Sequence, residues 1–220
     1  MKRAIFFDLD GTLWDAIEEI KDSYNEAMKL NNLKYSFDYK TVKSFMGLTP
    51  LETVKLAFND VSEKEGLKYF DICFKYEIKY LASHPGKLYP SEFEVLCLLS
   101  KTYPLYIVSN ADKGYIENYL NNYDKNHCFS GHLCAGDTSL DKAENIRFLM
   151  KKEGIDEVIY VGDTLKDLKE CEKANVNFIH ATYGFGVINN PKYKINSLDE
   201  LPNVVNKIFT KQKGLSYGRK

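Results

Sequence analysis

Asp8 and Asp10 stand two residues apart at the end of an apolar run, Ala4-Ile-Phe-Phe7, with Gly11 and Thr12 directly after them. A strand covered on both faces reads as an unbroken apolar run. Carboxylates at its C-terminal end fall in the crevice where open α/β sheets bind ligands. No basic residue within the motif relieves the two acids. Like charges this close repel unless a cation or a shared proton compensates them, so the pair is read as chemical rather than structural. Three further segments belong in the same crevice. Ser109 and Asn110 end the run Leu105–Val108, Gly162-Asp163 ends the run Val158–Val161 with Asp167 one turn on, and Lys142 follows the helix cap Asp141. The acids Asp8, Asp10, Asp163 and Asp167 ask for a hard divalent cation, and Mg²⁺ needs only one or two carboxylates beside water and substrate phosphate. The Ser109 hydroxyl and the Lys142 ammonium would neutralise a phosphoryl dianion. A metal-held Asp can be a nucleophile, and a second Asp that keeps its proton can be the acid. Phosphoryl transfer is the chemistry these residue types support.

These residues need a sheet to hold them. Short apolar runs alternate with capped helices from Leu88 onward: Ser91-x-x-Glu94 and Asp112 each open a helix, Asp141-x-x-Glu144 opens another that Gly154 stops, and Val176–Ala181 is a further strand. Such alternation predicts an α/β fold, a Rossmann-like doubly wound parallel sheet. The first strand must join that sheet. Between Trp14 and Ala82 the pattern is helical throughout: Ile17, Ile20, Tyr24, Ala27 and Met28 form one stripe, and Thr49-Pro-Leu-Glu52 and Ser62-x-x-Glu65 have the form of capping boxes. The expected organisation is a catalytic core of residues 1–14 and 88–210, an inserted helical cap over 15–87, and a disordered basic tail over 211–220. The cap loop Phe45-Met-Gly47-Leu-Thr49 is expected to face the crevice, with Gly47 and Thr49 affecting specificity.

Composition narrows the classes. With 30 basic and 31 acidic side chains in 220 residues there is no net field to draw nucleic acid or a membrane surface. No apolar stretch approaches spanning length. Five cysteines without paired spacing argue for a reducing compartment, and the cytoplasm is the expected location. Trp14 is expected to pack at the cap hinge, and the four histidines, lacking ligand-like spacing, are read as incidental.

Asp8-Leu-Asp10-Gly-Thr-Leu, Val108-Ser109-Asn110, Lys142 and Gly162-Asp163-x-x-x-Asp167 closely resemble, in order, the four motifs of the haloacid-dehalogenase superfamily. Ala181-Thr-Tyr-Gly-Phe-Gly186 and Ile195–Leu201 resemble the end of the core in phosphoglycolate-phosphatase-like members. The resemblance implies that Asp8 is the nucleophile and Asp10 the acid/base. It places Mg²⁺ on Asp8, the Asp10 backbone carbonyl and Asp163, with Asp167 supporting the metal site. It also puts Ser109 and Lys142 on the phosphoryl group, with Thr12 and Asn110 close to it. Two departures stand out: Ala143 replaces the proline that often follows the lysine, and Ile17 and Ile20 occupy the region where mutase-type relatives carry a histidine.

The expected function is a Mg²⁺-dependent hydrolysis of a small phosphorylated metabolite through an aspartyl-phosphate, by a monomer or weak homodimer. Phosphoglycolate is the first expected substrate, and a sugar phosphate or nucleoside monophosphate the next. The alternatives are a phosphomutase of the β-phosphoglucomutase type and a binding or regulatory member with reduced catalysis. A dehalogenase would need no acid at Asp10.

Overall fold

The computed structural model describes residues 1–216. Its centre is a six-stranded parallel sheet in the order β5-β4-β1-β6-β7-β8, where β1 is Arg3–Phe7, β4 Leu105–Ser109, β5 Phe129–Cys134, β6 Glu157–Gly162, β7 Asn177–Ala181 and β8 Lys194–Ile195. The sequence order reverses at β1, which pairs with β4 on one side and β6 on the other. Phe7 is opposite Ile107 and Val161 in those two ladders, so the three strands end at a common edge. That edge is the topological switch point, where doubly wound sheets bind ligands.

The unbroken apolar runs follow from burial on both faces. Ile5, Phe7, Leu105, Ile107, Ile159 and Val161 point into one core, and Ala4, Phe6, Tyr106, Val108, Val158 and Tyr160 into the other. Helices α8 (Lys142–Glu153) and α9 (Leu165–Ala174) cover the second face. Helices α5 (Glu92–Ser100), α6 (Tyr115–Tyr123) and α10 (Leu201–Ser216) lie with the first. The expected Asp141/Glu144 box forms at the start of α8, and Gly154 ends it in the left-handed conformation. Helix α10 continues into residues 211–216, part of the segment expected to be a disordered tail, while residues 217–220 lie outside the described residues.

Between the first strand and α5 the chain forms α1 (Ile17–Leu30), α2 (Tyr39–Lys43), α3 (Pro50–Ala57) and α4 (Glu63–Leu81). The stripe on α1 is buried, and α3 starts at a complete Thr49/Glu52 capping box. At α4 only half of the expected box forms, with Ser62 accepting from the Glu65 amide. Two short strands, β2 (Trp14–Asp15) and β3 (Lys87–Leu88), pair antiparallel where the chain enters and leaves this helical region. Trp14 is fully buried there, edge-on to Tyr115, Tyr119 and Tyr123.

Several local expectations fail for identifiable reasons. β5 reads poorly because it is an edge strand whose residues are mostly half-buried, continued by the short helix α7 (Ala135–Thr138). The two-residue β2 and β3 exist only through their mutual pairing. Asp112 does not cap α6; Gly114 does, in the left-handed region, while Asp112 accepts from the Lys113 amide. Ser91 is itself left-handed and makes no side-chain cap. All five cysteines are free, with Cys97 Sγ 3.2 Å from Cys128 Sγ.

Glu92, buried on α5, accepts a hydrogen bond from the Tyr119 hydroxyl. Burial, reinforced by Asp124 and Glu94, raises its carboxyl from 4.5 to about 8. The fold therefore favours the protonated form, and that stabilisation is lost as pH climbs from the unfolded value through about 8. Glu92→Gln stays neutral across the window. Its Tm relative to wild type should accordingly rise between pH 5 and pH 8 in thermal melts; a constant difference would contradict the buried neutral acid.

Candidate active site

The C-terminal edge of the sheet brings the sequence-separated acids together. Oxygens of Asp8, Asp163 and Asp167 lie within 4.8 Å of one another, and all three residues are buried. Asp8 follows β1, where its amide donates to the Val161 carbonyl at 2.9 Å. Asp163 follows β6. Asp167 sits at the third position of α9, in a capping box with Thr164, whose amide and hydroxyl donate to Asp167 Oδ2 at 3.0 and 2.6 Å.

One cation serves this group. Lys142, 1% exposed at the start of α8, places Nζ 3.0 Å from Asp8 Oδ1 and 2.5 Å from Asp167 Oδ1. Burial opposes ionisation of Asp167, but Lys142 and the Thr164 hydrogen bonds outweigh it and hold the carboxyl below its ordinary range. Burial, then the charge of Asp167, pushes Asp8 well up against the pull of Lys142. Asp163 is raised to about 7 by burial and by Asp167. Three carboxyls against one ammonium leave the site short of positive charge.

Asp163 shows where that charge would go. Its Oδ2 accepts from the Phe185 amide at 2.6 Å and the Gly186 amide at 3.3 Å, while Oδ1 is buried without a partner. Gly11, at φ +74°, passes so close that a Cβ there would collide with the Asp163 carboxylate. An all-oxygen acid cluster with an unpartnered buried oxygen fits a hard divalent cation such as Mg²⁺. His180, read as incidental in the sequence, is buried and donates from Nε2 to the Asp163 carbonyl at 3.1 Å.

Asp10 is held separately. Its Oδ1 accepts from Trp14 Nε1 at 2.9 Å and from the Tyr115 hydroxyl at 2.7 Å. Burial raises its carboxyl to about 6, partly offset by those two donors. Ser109, which ends β4, and Asn110 directly after it are both buried and share a cavity, partly open to solvent, with Asp8 and Asp10. Gly47 also lines it, and its carbonyl accepts from Asn110 Nδ2 at 3.0 Å, tying the α2–α3 loop to the sheet. Thr49 does not line the cavity; its side chain is engaged with Glu52 in the capping box. Thr12 is fully buried with an unpartnered Oγ1 and likewise does not line it.

Residues 5–181 match the model of the haloacid dehalogenase-like hydrolases. The chain belongs to that family. Curated phosphoglycolate phosphatases are similar to it: one from Colwellia psychrerythraea is 24% identical, with 84% of this chain and 86% of the relative covered. One from Haemophilus influenzae is 26% identical, covering 83% and 87%. Among solved structures, a haloacid dehalogenase-like hydrolase from Streptococcus pneumoniae superposes with a TM-score of 0.78 at 27% identity, covering 92% of this chain and 97% of that one.

The sequence reading of this haloacid dehalogenase-like site missed Tyr115 and the Trp14 indole as partners of Asp10. It also missed Glu77, buried on α4 in the cavity wall beside Tyr24 and held up at about 8 by burial. Glu77 follows no motif, and its α4 neighbours include exposed charges. Removing the Tyr115 donor removes a stabiliser of ionised Asp10. Tyr115→Phe should raise the Asp10 carboxyl above about 6, read from the carboxyl ¹³C shift through a pH titration. An unchanged or lower midpoint would contradict the assigned hydrogen bond.

Proposed function

We propose that this chain is a Mg²⁺-dependent phosphomonoester hydrolase that works on a small phosphorylated metabolite through an aspartyl-phosphate on Asp8. The observation that carries the reading is Asp8 at the switch point, 3.0 Å from the buried Lys142 ammonium and facing a cavity shared with Asp10, Ser109 and Asn110. Membership of a hydrolase family and similarity to phosphatases support it. Phosphoglycolate, named in those relatives, is the reference substrate. No described helix is long and apolar enough to cross a membrane, and free cysteines fit a cytoplasmic setting.

In this reading the Asp8 carboxylate attacks phosphorus. A new Asp8 oxygen–phosphorus bond forms as the ester oxygen–phosphorus bond breaks. Asp10, held by Tyr115 and Trp14 on one oxygen, gives its proton to the departing oxygen. It then accepts a proton from the water that attacks the phosphorus of the acyl phosphate. Inorganic phosphate leaves and Asp8 is restored. A carboxyl held near 6 can serve both directions near neutral pH. Lys142 and the Ser109 hydroxyl hold the phosphoryl oxygens, with Asn110 and Thr12 behind them. Mg²⁺, held by Asp8, Asp163 and the Asp10 carbonyl with Asp167 in support, would supply Lewis-acid neutralisation of the phosphoryl charge. The α1–α4 cap walls one side of the cavity, and its loop at Gly47 meets the core through Asn110. A salt bridge from Lys166 on α9 to Glu52 on α3, 2.5 Å, is a second tie.

Asp8→Asn should fold with wild-type circular dichroism and lose essentially all turnover of p-nitrophenyl phosphate. EDTA should abolish wild-type turnover, and Mg²⁺ should restore it where Ca²⁺ does so poorly, because Ca²⁺ favours larger and looser coordination. Near-normal activity of Asp8→Asn, or full activity after metal removal, would overturn the mechanism.

A further inference from the structure

The cavity above Asp8 has a chemical character of its own. Its wall on the helical side is apolar, made by Ile20, Phe45, Met46, Leu48, Phe70 and Phe74. Into this wall α4 places one acid, Glu77, 4% exposed. Tyr24 lines the cavity beside it, and no salt bridge reaches Glu77 among the described residues. None of the lining residues is Lys, Arg or His. Lys142 is already shared between Asp8 and Asp167. Lys43 lies over the Phe185 ring at 5.6 Å, outside the lining.

A substrate carboxylate on the helical side of this chamber would meet largely apolar surface, with no lining cation to compensate its desolvation. Burying an unpaired charge is among the most costly contacts a site can make.

We propose that the leaving group of the substrate is not anionic: it has an apolar body and carries a hydrogen-bond donor, an ammonium or a hydroxyl, which Glu77 and Tyr24 receive. The inference rests on the phosphatase reading above and names the substrate class of that same site. Glu77 is then the residue that sets specificity. The apolar wall accepts the carbon skeleton, and the one acid fixes its orientation. A carboxylate-bearing monoester such as phosphoglycolate is disfavoured because no lining cation pairs with its second charge.

The test uses ω-substituted alkyl monophosphates of two to six carbons, each length ending in ammonium, hydroxyl, methyl or carboxylate, with p-nitrophenyl phosphate as a reference. The wild type with Mg²⁺ should show kcat/KM for the ammonium or hydroxyl series at its best length at least about tenfold above the carboxylate series, as one charge-assisted hydrogen bond provides. The two donor arms identify which group the site takes. Glu77→Gln, which keeps the shape, should bring the ammonium-to-methyl ratio toward one, mainly through KM; Glu77→Asp should retain part of it. Preference for phosphoglycolate, or ratios unchanged in Glu77→Gln, would overturn the inference while leaving the phosphatase reading in place. No turnover of any monoester, p-nitrophenyl phosphate included, would overturn that reading and this inference with it.

Discussion

Burying Asp8, Asp163 and Asp167 around a single ammonium is the constraint that shapes the rest of this molecule. Carboxylates in a low-dielectric interior resist ionisation unless charge is brought to them. Lys142 meets part of the demand by bridging Asp8 and Asp167. It can do so only because α8 starts beside the switch point, fixed by the Asp141/Glu144 capping box. Asp163 takes backbone amides of Phe185 and Gly186 on one oxygen and leaves the other without a partner. The sheet supplies the rigidity: β1, β4 and β6 end together, so groups distant in sequence meet without any loop having to search. The unbalanced charge is therefore a built feature, and it fits the divalent cation proposed for the site.

Asp10 belongs to a different environment only two residues away. The indole of Trp14 and the phenol of Tyr115 hold its carboxylate, and both rings pack in the aromatic cluster beside the β2–β3 ribbon. The acid is thereby tied to the point where the helical region joins the core. Movement of that region would alter the hydrogen bonds on Asp10 and with them its protonation. Two neighbouring carboxyls thus have different surroundings, as the separate roles proposed for them require.

The sheet's central strands were legible because both of their faces are covered, leaving apolar runs that no periodicity obscures. The boxes at Thr49/Glu52 and Asp141/Glu144 were legible because their hydrogen bonds are local. β5 was not, since an edge strand has one partner and its residues are mostly half-buried, without a continuous apolar run. The caps of α5 and α6 were misread because left-handed residues, Ser91 and Gly114, took over the role that Ser and Asp side chains were expected to fill. In the candidate site, the acids and Lys142 stood out by their position after buried strands or a helix cap. Tyr115 and Glu77 did not. Their meaning comes from tertiary contacts, a hydroxyl reaching Asp10 across 105 residues and an acid buried only when α4 packs over the cavity.

The central claim is that the acid cluster is completed by one divalent cation. Isothermal titration calorimetry of the metal-free protein with Mg²⁺, from pH 6 to pH 8, measures it directly. Because burial and Asp167 hold Asp163 up at about 7, cation binding must displace a proton, and affinity should weaken as pH falls below that value. The account predicts one site per chain, proton release that varies with buffer ionisation enthalpy, and loss of binding in Asp163→Asn. A wild-type protein that binds no Mg²⁺, or an Asp163→Asn variant that binds it as tightly as wild type, would contradict the account.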